Sequence, residues 1–177
     1  MYGRYRFYCY HPYHYHPYRP YYWGPHWHPW GFFVATVATT AIIVSINNQD
    51  YYYDDGVYYE PKDDGEGYVV VEPPLGATVS QLPKEAEKIL VEGQTFYYYG
   101  GTFYQKEGDG YKVVPPMAGT VVDKLPDGGK EVKIGDVTYV QVGEIYYQPT
   151  EIDGREVWEV VKVEEGEGET TETEGEE

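Results

Sequence analysis

The sequence predicts an all-β protein made of short antiparallel strands, on the evidence of its composition and of an internal repeat. The chain of 177 residues contains 23 Tyr and 21 Gly but only 2 Met. Tyr and Val favour strands, whereas Gly and Pro interrupt helices and supply turns. Hydrophobic residues make up 41% of the chain, which is enough to build a core in one domain or two small ones.

The internal repeat is the strongest pattern in the chain. The segment PPLGATVSQLP (73–83) recurs as PPMAGTVVDKLP (115–126), and GQTFYYYGGTFYQ (93–105) recurs as DVTYVQVGEIYYQ (136–148). From Gly67 onward the matching positions lie 43 residues apart. An earlier copy of one hairpin is YYYDDGVYYEP. We therefore expect two repeats of about 43 residues plus a partial third, folded as small sheets or partly open barrels.

The two copies decide between helix and strand where one copy alone is ambiguous. The segment PKEAEKILV (83–91) contains good helix formers, but its counterpart PDGGKEVKI (126–134) contains two adjacent glycines. Equivalent positions should share one structure, so we predict strands at Glu87–Val91 and Lys130–Ile134.

Turn residues separate the predicted strands. Double prolines at 73–74 and 115–116 should end strands, because Pro cannot donate a ladder hydrogen bond. Tight hairpin turns need residues that tolerate positive φ, and Gly with Asp or Glu supplies them between Tyr- and Val-rich runs. These turns are predicted at 54–56, 100–101, 108–110, 135–136 and 143–144.

Composition also divides the chain into four regions. They are an aromatic head at 1–29, an apolar segment at 30–50, the repeat body at 51–163 and an acidic tail at 164–177 with the composition of a disordered segment. Residues 1–46 carry three Arg and no acid, whereas the remainder carries all 30 acids against ten Lys and Arg. Such a body repels nucleic acid, so nucleic-acid binding is not expected. The chain's own head is a candidate cationic and aromatic partner for the acidic body.

The apolar segment allows three interpretations. Residues 32–46 carry no charge, and nine of the fifteen are β-branched, which favours a strand. As a helix these residues would span about 22 Å, short of the roughly 30 Å hydrocarbon core. A signal peptide fits less well, because about thirty residues rather than a short basic segment precede the run. We predict one long strand, with a membrane helix or a processed segment as the alternatives.

A strand that is apolar on both faces must be covered by its own sheet or by another subunit. We therefore predict that the apolar segment mediates self-association into a homo-oligomer or polymer. The candidate residues are Phe32, Phe33, Val34, Val37, Ile42, Ile43, Val44 and Ile46.

Metal binding and catalysis have few candidate residues. His14 with His16, and His26 with His28, would each face one side of an extended chain and could form a pincer for Cu(II) or Zn(II). The spacing is loose, which favours a packing role, and we predict no cofactor. The body contains neither His nor Cys, so it lacks the groups of a Ser–His or Cys–His nucleophile. We expect no enzymatic activity.

Three motifs together resemble a known family. The head with the apolar run (HYHPYRPYYWGPHWHPWGFFVATVATTAIIVSI), the hairpin YYYDDGVYYEP and the paired PPxGAxVxxLP-type units resemble an uncharacterised family of exported bacterial proteins with Tyr-rich repeats. The resemblance extends over nearly the whole chain except the acidic tail. It implies an envelope or secreted location, no established activity and no catalytic residues. Export would require a leader that was removed or that lies upstream of Met1.

These observations rank three functions. The first is a structural, self-associating protein of the cell envelope or extracellular space, such as a fibre subunit whose apolar strand and head dock onto a neighbour. The alternative is a membrane-anchored periplasmic or surface module that binds a protein or a glycan. The third is a metal-handling protein that uses the His-rich head.

Overall fold

The computed structural model describes residues 5–165, which form 17 strands and no helix. All strand pairs are antiparallel and no sheet closes into a barrel, so the predicted all-β class is confirmed. The strands are β1 (Tyr5–Tyr8), β2 (Phe33–Val34), β3 (Ile42–Ile46), β4 (Gln49–Asp54), β5 (Val57–Pro61), β6 (Tyr68–Val71), β7 (Thr78–Val79), β8 (Glu87–Val91), β9 (Gln94–Tyr99), β10 (Thr102–Glu107), β11 (Gly110–Val114), β12 (Val121–Val122), β13 (Lys130–Ile134), β14 (Val137–Val142), β15 (Ile145–Ile152), β16 (Arg155–Val160) and β17 (Lys162–Glu165).

Three five-stranded sheets share one topology and define three repeat units. Their strand orders are β2-β6-β5-β4-β3, β7-β11-β10-β9-β8 and β12-β16-β15-β14-β13. In each unit a two-residue strand enters the sheet beside the last strand, and four longer strands follow as a meander. The prediction of two repeats plus a partial third is therefore wrong, because the first unit is complete and begins inside the apolar segment.

The same backbone hydrogen bonds mark the start of every unit. A glycine N–H donates to the carbonyl oxygen of the residue near the end of the unit's last strand: Gly31 to Val70 at 2.7 Å, Gly76 to Val113 at 2.9 Å and Gly119 to Val160 at 2.9 Å. This bond closes the short strand onto the sheet edge. The first unit has Trp-Gly where the second unit has Leu-Gly, which hides the correspondence at the level of side chains.

The prediction of one long apolar strand is also wrong. Residues 32–46 form the short β2 and then β3, separated by a turn in which the Ala41 N–H donates to the Ala38 carbonyl oxygen at 3.0 Å. The second unit has the same turn, from Ala86 N–H to the Pro83 oxygen at 3.1 Å. The β-branched residues indicated strand structure correctly. The turn that every unit shares at this point divides the apolar segment into two strands. In the part of the chain from residue 5 to residue 165, no helix has the length and apolar character needed to cross a membrane.

The predicted strands and turns of the second and third units are confirmed. Strands β8 and β13 cover the predicted residues, and the double prolines follow directly or within two residues of the ends of β11 and β6. The turn residues adopt positive φ as expected, with Gly101 at +90° and Gly143 at +60°.

The core lies between the units rather than within them. One cluster joins the first and second units, and in it the Tyr104 hydroxyl donates to the Tyr58 hydroxyl at 3.2 Å. Burial raises the pKa values of both phenols, so both stay neutral at physiological pH. A larger cluster joins all three units with two rings of the head, Trp23 and Trp27.

The head lies along its own body, which confirms it as a partner of that body. β1 pairs with β17, and the Tyr21 N–H donates to the Leu125 carbonyl oxygen at 2.8 Å. Trp27 is buried against the β9–β10 turn, where a Cβ on Gly100 would lie 2.5 Å from Trp27 Nε1. The acidic tail prediction concerns residues that, apart from Glu164 and Glu165 in β17, lie outside the described range.

A pair of glycines tests whether the head is part of the folded core. Gly100 and Gly108 both have φ of +57°, but nothing lies within 4 Å of a Cβ at Gly108. Gly108→Ala should cost about 1 kcal/mol through backbone strain alone. Gly100→Ala should cost about 1–3 kcal/mol more, because its methyl group overlaps the buried Trp27 ring. Urea denaturation midpoints measure the difference, and equal losses would show that Trp27 does not pack on this turn.

Candidate functional site: the uncharged edge of the first sheet

Each unit exposes one long outer strand. The outer strands are β3, β8 and β13, and each pairs with only one neighbour in its sheet. Such an edge has unpaired backbone groups on its free side, which another strand can join. Soluble proteins usually protect these edges with charged side chains or with covering segments.

Strand β3 lacks the charges that its counterparts carry. When the three outer hairpins (β3–β4, β8–β9 and β13–β14) are superposed by their strand registers, Ile43 takes the position of Lys88 in β8 and of Glu131 in β13. The Ile43 side chain is 59% exposed. Ile42 similarly occupies the position of Glu87 and Lys130. The first sheet therefore has an apolar edge where the other two sheets have charged edges.

The two charged edges also carry contacts from other parts of the chain. On β8, the Glu87 carboxylate pairs with the Lys124 ammonium at 2.8 Å, and this hydrogen bond raises the pKa of Lys124. On β13, the Glu131 carboxylate accepts the Tyr18 N–H of the head at 3.0 Å. The side chains of β3 instead bond locally, with Ser45 Oγ donating to Asp50 on the adjacent strand.

The structure separates the eight predicted self-association residues by exposure. The Val44 side chain is buried between the first two units, so it supports the sheet from within. Val34, Val37 and Ile46 are half-buried. The four exposed members are Phe32, Phe33, Ile42 and Ile43. Phe32 and Phe33 lie at the β2 side of the sheet, opposite β3, so only Ile42 and Ile43 lie on the free outer strand, and we call these two residues the apolar patch.

Charge also distinguishes this part of the surface. The 20 residues from Trp30 to Gln49 contain no charged residue, in a chain with a net charge of −17. Two copies of such a chain repel each other at most orientations. The approach of β3 toward another copy brings together the segment with the least charge.

The five histidines contact separate partners. His14 Nε2 lies 3.3 Å from Glu151, and the His16 ring bonds the Val157 carbonyl oxygen at 2.9 Å. His26 Nε2 lies 3.2 Å from the Tyr99 hydroxyl. The His28 ring stacks on the Phe32 ring, with 4.0 Å between the two ring centroids. Among residues 5–165, no group of three or more His, Cys, Asp or Glu is arranged to hold a metal ion. The geometry gives these rings packing and hydrogen-bonding contacts.

The fifth histidine belongs to an anchor that sequence reasoning missed. Glu159 is 0% exposed, and its carboxylate accepts the backbone N–H of Tyr10 at 2.6 Å and of His11 at 3.0 Å. His11 Nδ1 lies 3.1 Å from the same carboxylate. An acid inside the apolar run VWEVV (157–161) was the available signal, because a buried acid requires specific partners. We call this contact the Glu159 anchor.

Cys9 lies beside the Glu159 anchor and is half-buried. Burial, with a smaller contribution from the negative charge of Glu159, raises the pKa of the Cys9 thiol to about 12. The thiol is therefore protonated at neutral pH, whereas the thiolate is the nucleophile and the metal ligand.

The fold and the edge define a class of protein: a tandem array of three five-stranded β units, with an aromatic head held by buried contacts and one unprotected outer strand. The chain belongs to a family described as a family of unknown function (DUF6515), whose model matches residues 1–164. No curated protein and no solved structure matches the chain. The match includes the head and all three units. This extent agrees with a head that is part of the fold.

The Glu159 anchor can be tested by removing one acceptor. Glu159→Gln replaces a carboxylate oxygen with an NH₂ group that faces a backbone N–H, so it should cost about 1.5–3 kcal/mol of unfolding free energy. Glu156→Gln, at an exposed position of the same strand, should change stability by less than about 0.5 kcal/mol. Urea denaturation compares the two variants, and an equally stable Glu159→Gln protein would refute the anchor.

Proposed function

We propose that this protein is a structural, self-associating and non-catalytic component, and that its copies join at the free edge of β3. The observation that carries the proposal is the exposed Ile43 at a position where the two other outer strands have Lys88 and Glu131. Addition of a strand satisfies the unpaired backbone groups of an edge, and apolar side chains next to it gain burial. The apolar patch supplies those side chains.

The geometry of pairing determines the type of assembly. Two β3 strands related by a twofold axis form a closed dimer, whereas β3 paired with a different edge forms an open, growing assembly. Either assembly is compatible with a structural role, and the second produces the fibre. The location in the bacterial cell envelope or extracellular space is part of the proposal, and it rests on the resemblance described above.

The self-association proposal predicts the effect of one charge. Ile43→Lys places an ammonium group on the apolar edge, where pairing would require its desolvation, so it should shift the association constant at least tenfold toward monomer. Leu90→Lys is the matched control, because Leu90 is 72% exposed on an edge that already carries charges. The control should associate like the unchanged protein.

Sedimentation velocity and electron microscopy of the full chain measure this prediction. Association should strengthen between about 50 mM and 500 mM NaCl, because salt screens the repulsion between chains of net charge −17. Monomers at all concentrations, or equal losses for the two Lys variants, would contradict the proposal. Dimers and filaments distinguish the closed arrangement from the open one.

A further inference from the structure

A cavity of about 400 Å³ lies where the three units meet, and none of its lining residues belongs to β3. The first unit contributes Trp30 and the chain after β6, the second contributes Phe103 and the double proline after β11, and the third contributes Glu144. This volume is within the range of sites that hold small organic ligands.

The cavity combines apolar walls with two carboxylates. Trp30, Phe103, Leu75 and three prolines supply apolar lining, and Glu72 and Glu144 add the charge. Partial desolvation, followed by the charge of Glu144, raises the pKa of Glu72. Among residues 5–165, no Lys, Arg or His forms an ion pair with either carboxylate.

The third unit holds Trp30 and Glu72 against one glycine. A Cβ on Gly143 would lie 2.9 Å from Trp30 Cζ3 and 3.1 Å from Glu72 Oε1, so the ring and the carboxylate both reach the same turn. An aromatic ring beside a carboxylate is suited to a cation, because the ring quadrupole and the negative charge both attract it. An anion is repelled by the same groups.

From this cavity we propose that the protein binds an organic cation with an alkyl stem, either a free alkylamine or a lysine side chain of another protein. The ammonium group lies between Glu72 and Glu144, and the stem packs on Trp30 and the proline walls. This inference uses different residues from the proposed self-association, so each stands or falls by itself.

Binding to the full chain is measured by the indole N–H signal of Trp30 in a nitrogen-15 NMR spectrum, assigned with Trp30→Phe. n-Hexylamine should shift this signal with a dissociation constant of about 1 mM or tighter. n-Hexanol, which has the same stem without the charge, should bind at least tenfold more weakly. No saturable shift with n-hexylamine, or equal affinity for the two compounds, would overturn the proposal.

Variants separate the cavity carboxylates from the overall negative charge. The double variant Glu72→Gln with Glu144→Gln should weaken n-hexylamine binding at least tenfold. The control, Glu92→Gln with Glu156→Gln, removes two charges from exposed positions and should bind normally. Equal loss in both variants would mean general attraction of cations and would overturn the site.

A stability measurement excludes unfolding as the cause of lost binding. The raised pKa of Glu72 means that ionising this carboxyl group costs more free energy in the folded chain than in the unfolded chain, so its charge lowers stability at pH 7. Glu72→Gln, which resembles the protonated form, should therefore raise Tm at pH 7 while it weakens binding. A lowered Tm together with lost binding would mean that Glu72 is structural and would overturn its role in the site.

Two ligands distinguish the source of the cation. Nα-acetyl-lysine amide represents a lysine side chain in a protein, and n-hexylamine represents a free amine. Tighter binding of the lysine compound supports a protein ligand, and tighter binding of n-hexylamine supports a free amine.

Discussion

No five-stranded unit of this chain encloses a core alone, and the rest of the structure depends on this constraint. A single sheet of short strands has one face to bury and nothing of its own to cover it, so repeat units acquire a core by stacking. Here the shared core consists of aromatic rings, and buried tyrosines such as Tyr58 and Tyr104 bond each other between units. Terminal units need a cover, and His16 and Tyr18 of the head supply part of one by packing on Trp158 of the third unit.

The head is fixed to the body by polar contacts as well as by burial. A buried carboxylate is costly unless hydrogen bonds compensate for its lost hydration. Glu159 obtains these bonds from backbone N–H groups of the head. The buried carboxylate is therefore compensated only while the head stays in place. Because the head is used in this way, the free edge of β3 and the apolar patch are the parts of the apolar segment that remain available to another copy.

The fold class followed from the sequence because a repeated pattern averages out local ambiguity. Two aligned glycines at 128–129 established that Glu87–Val91 is a strand despite its helix-forming residues. The first unit is hard to recognise from the sequence because its side chains differ from those of the repeat. What it shares with the other units is the backbone hydrogen bond from a glycine, Gly31. A strand prediction from β-branched residues also gives no information about where the chain turns back.

The candidate sites were predictable to different degrees. Uncharged residues in an acidic chain are visible in the sequence, so Ile42 and Ile43 could be proposed as candidates, and the structure places both at exposed positions. Only the fold shows which of the eight predicted self-association residues, such as Val44, face the core. The cavity joins Trp30, Glu72 and Glu144, which are far apart in the chain and form no local motif. The Glu159 anchor likewise pairs residues 148 or more positions apart.

The head packs on its own chain, and we propose that copies of the protein meet at β3. Amide hydrogen exchange of the full chain, measured by mass spectrometry over a hundredfold range of protein concentration, tests both parts together. The account predicts that head peptides, such as those around Tyr10 and Tyr21, are equally protected at every concentration. Peptides covering Ile42–Ile46 should become more protected as concentration rises, while those of Glu87–Val91 should not. Protection of the head that rises with concentration, with β3 unchanged, would contradict the account.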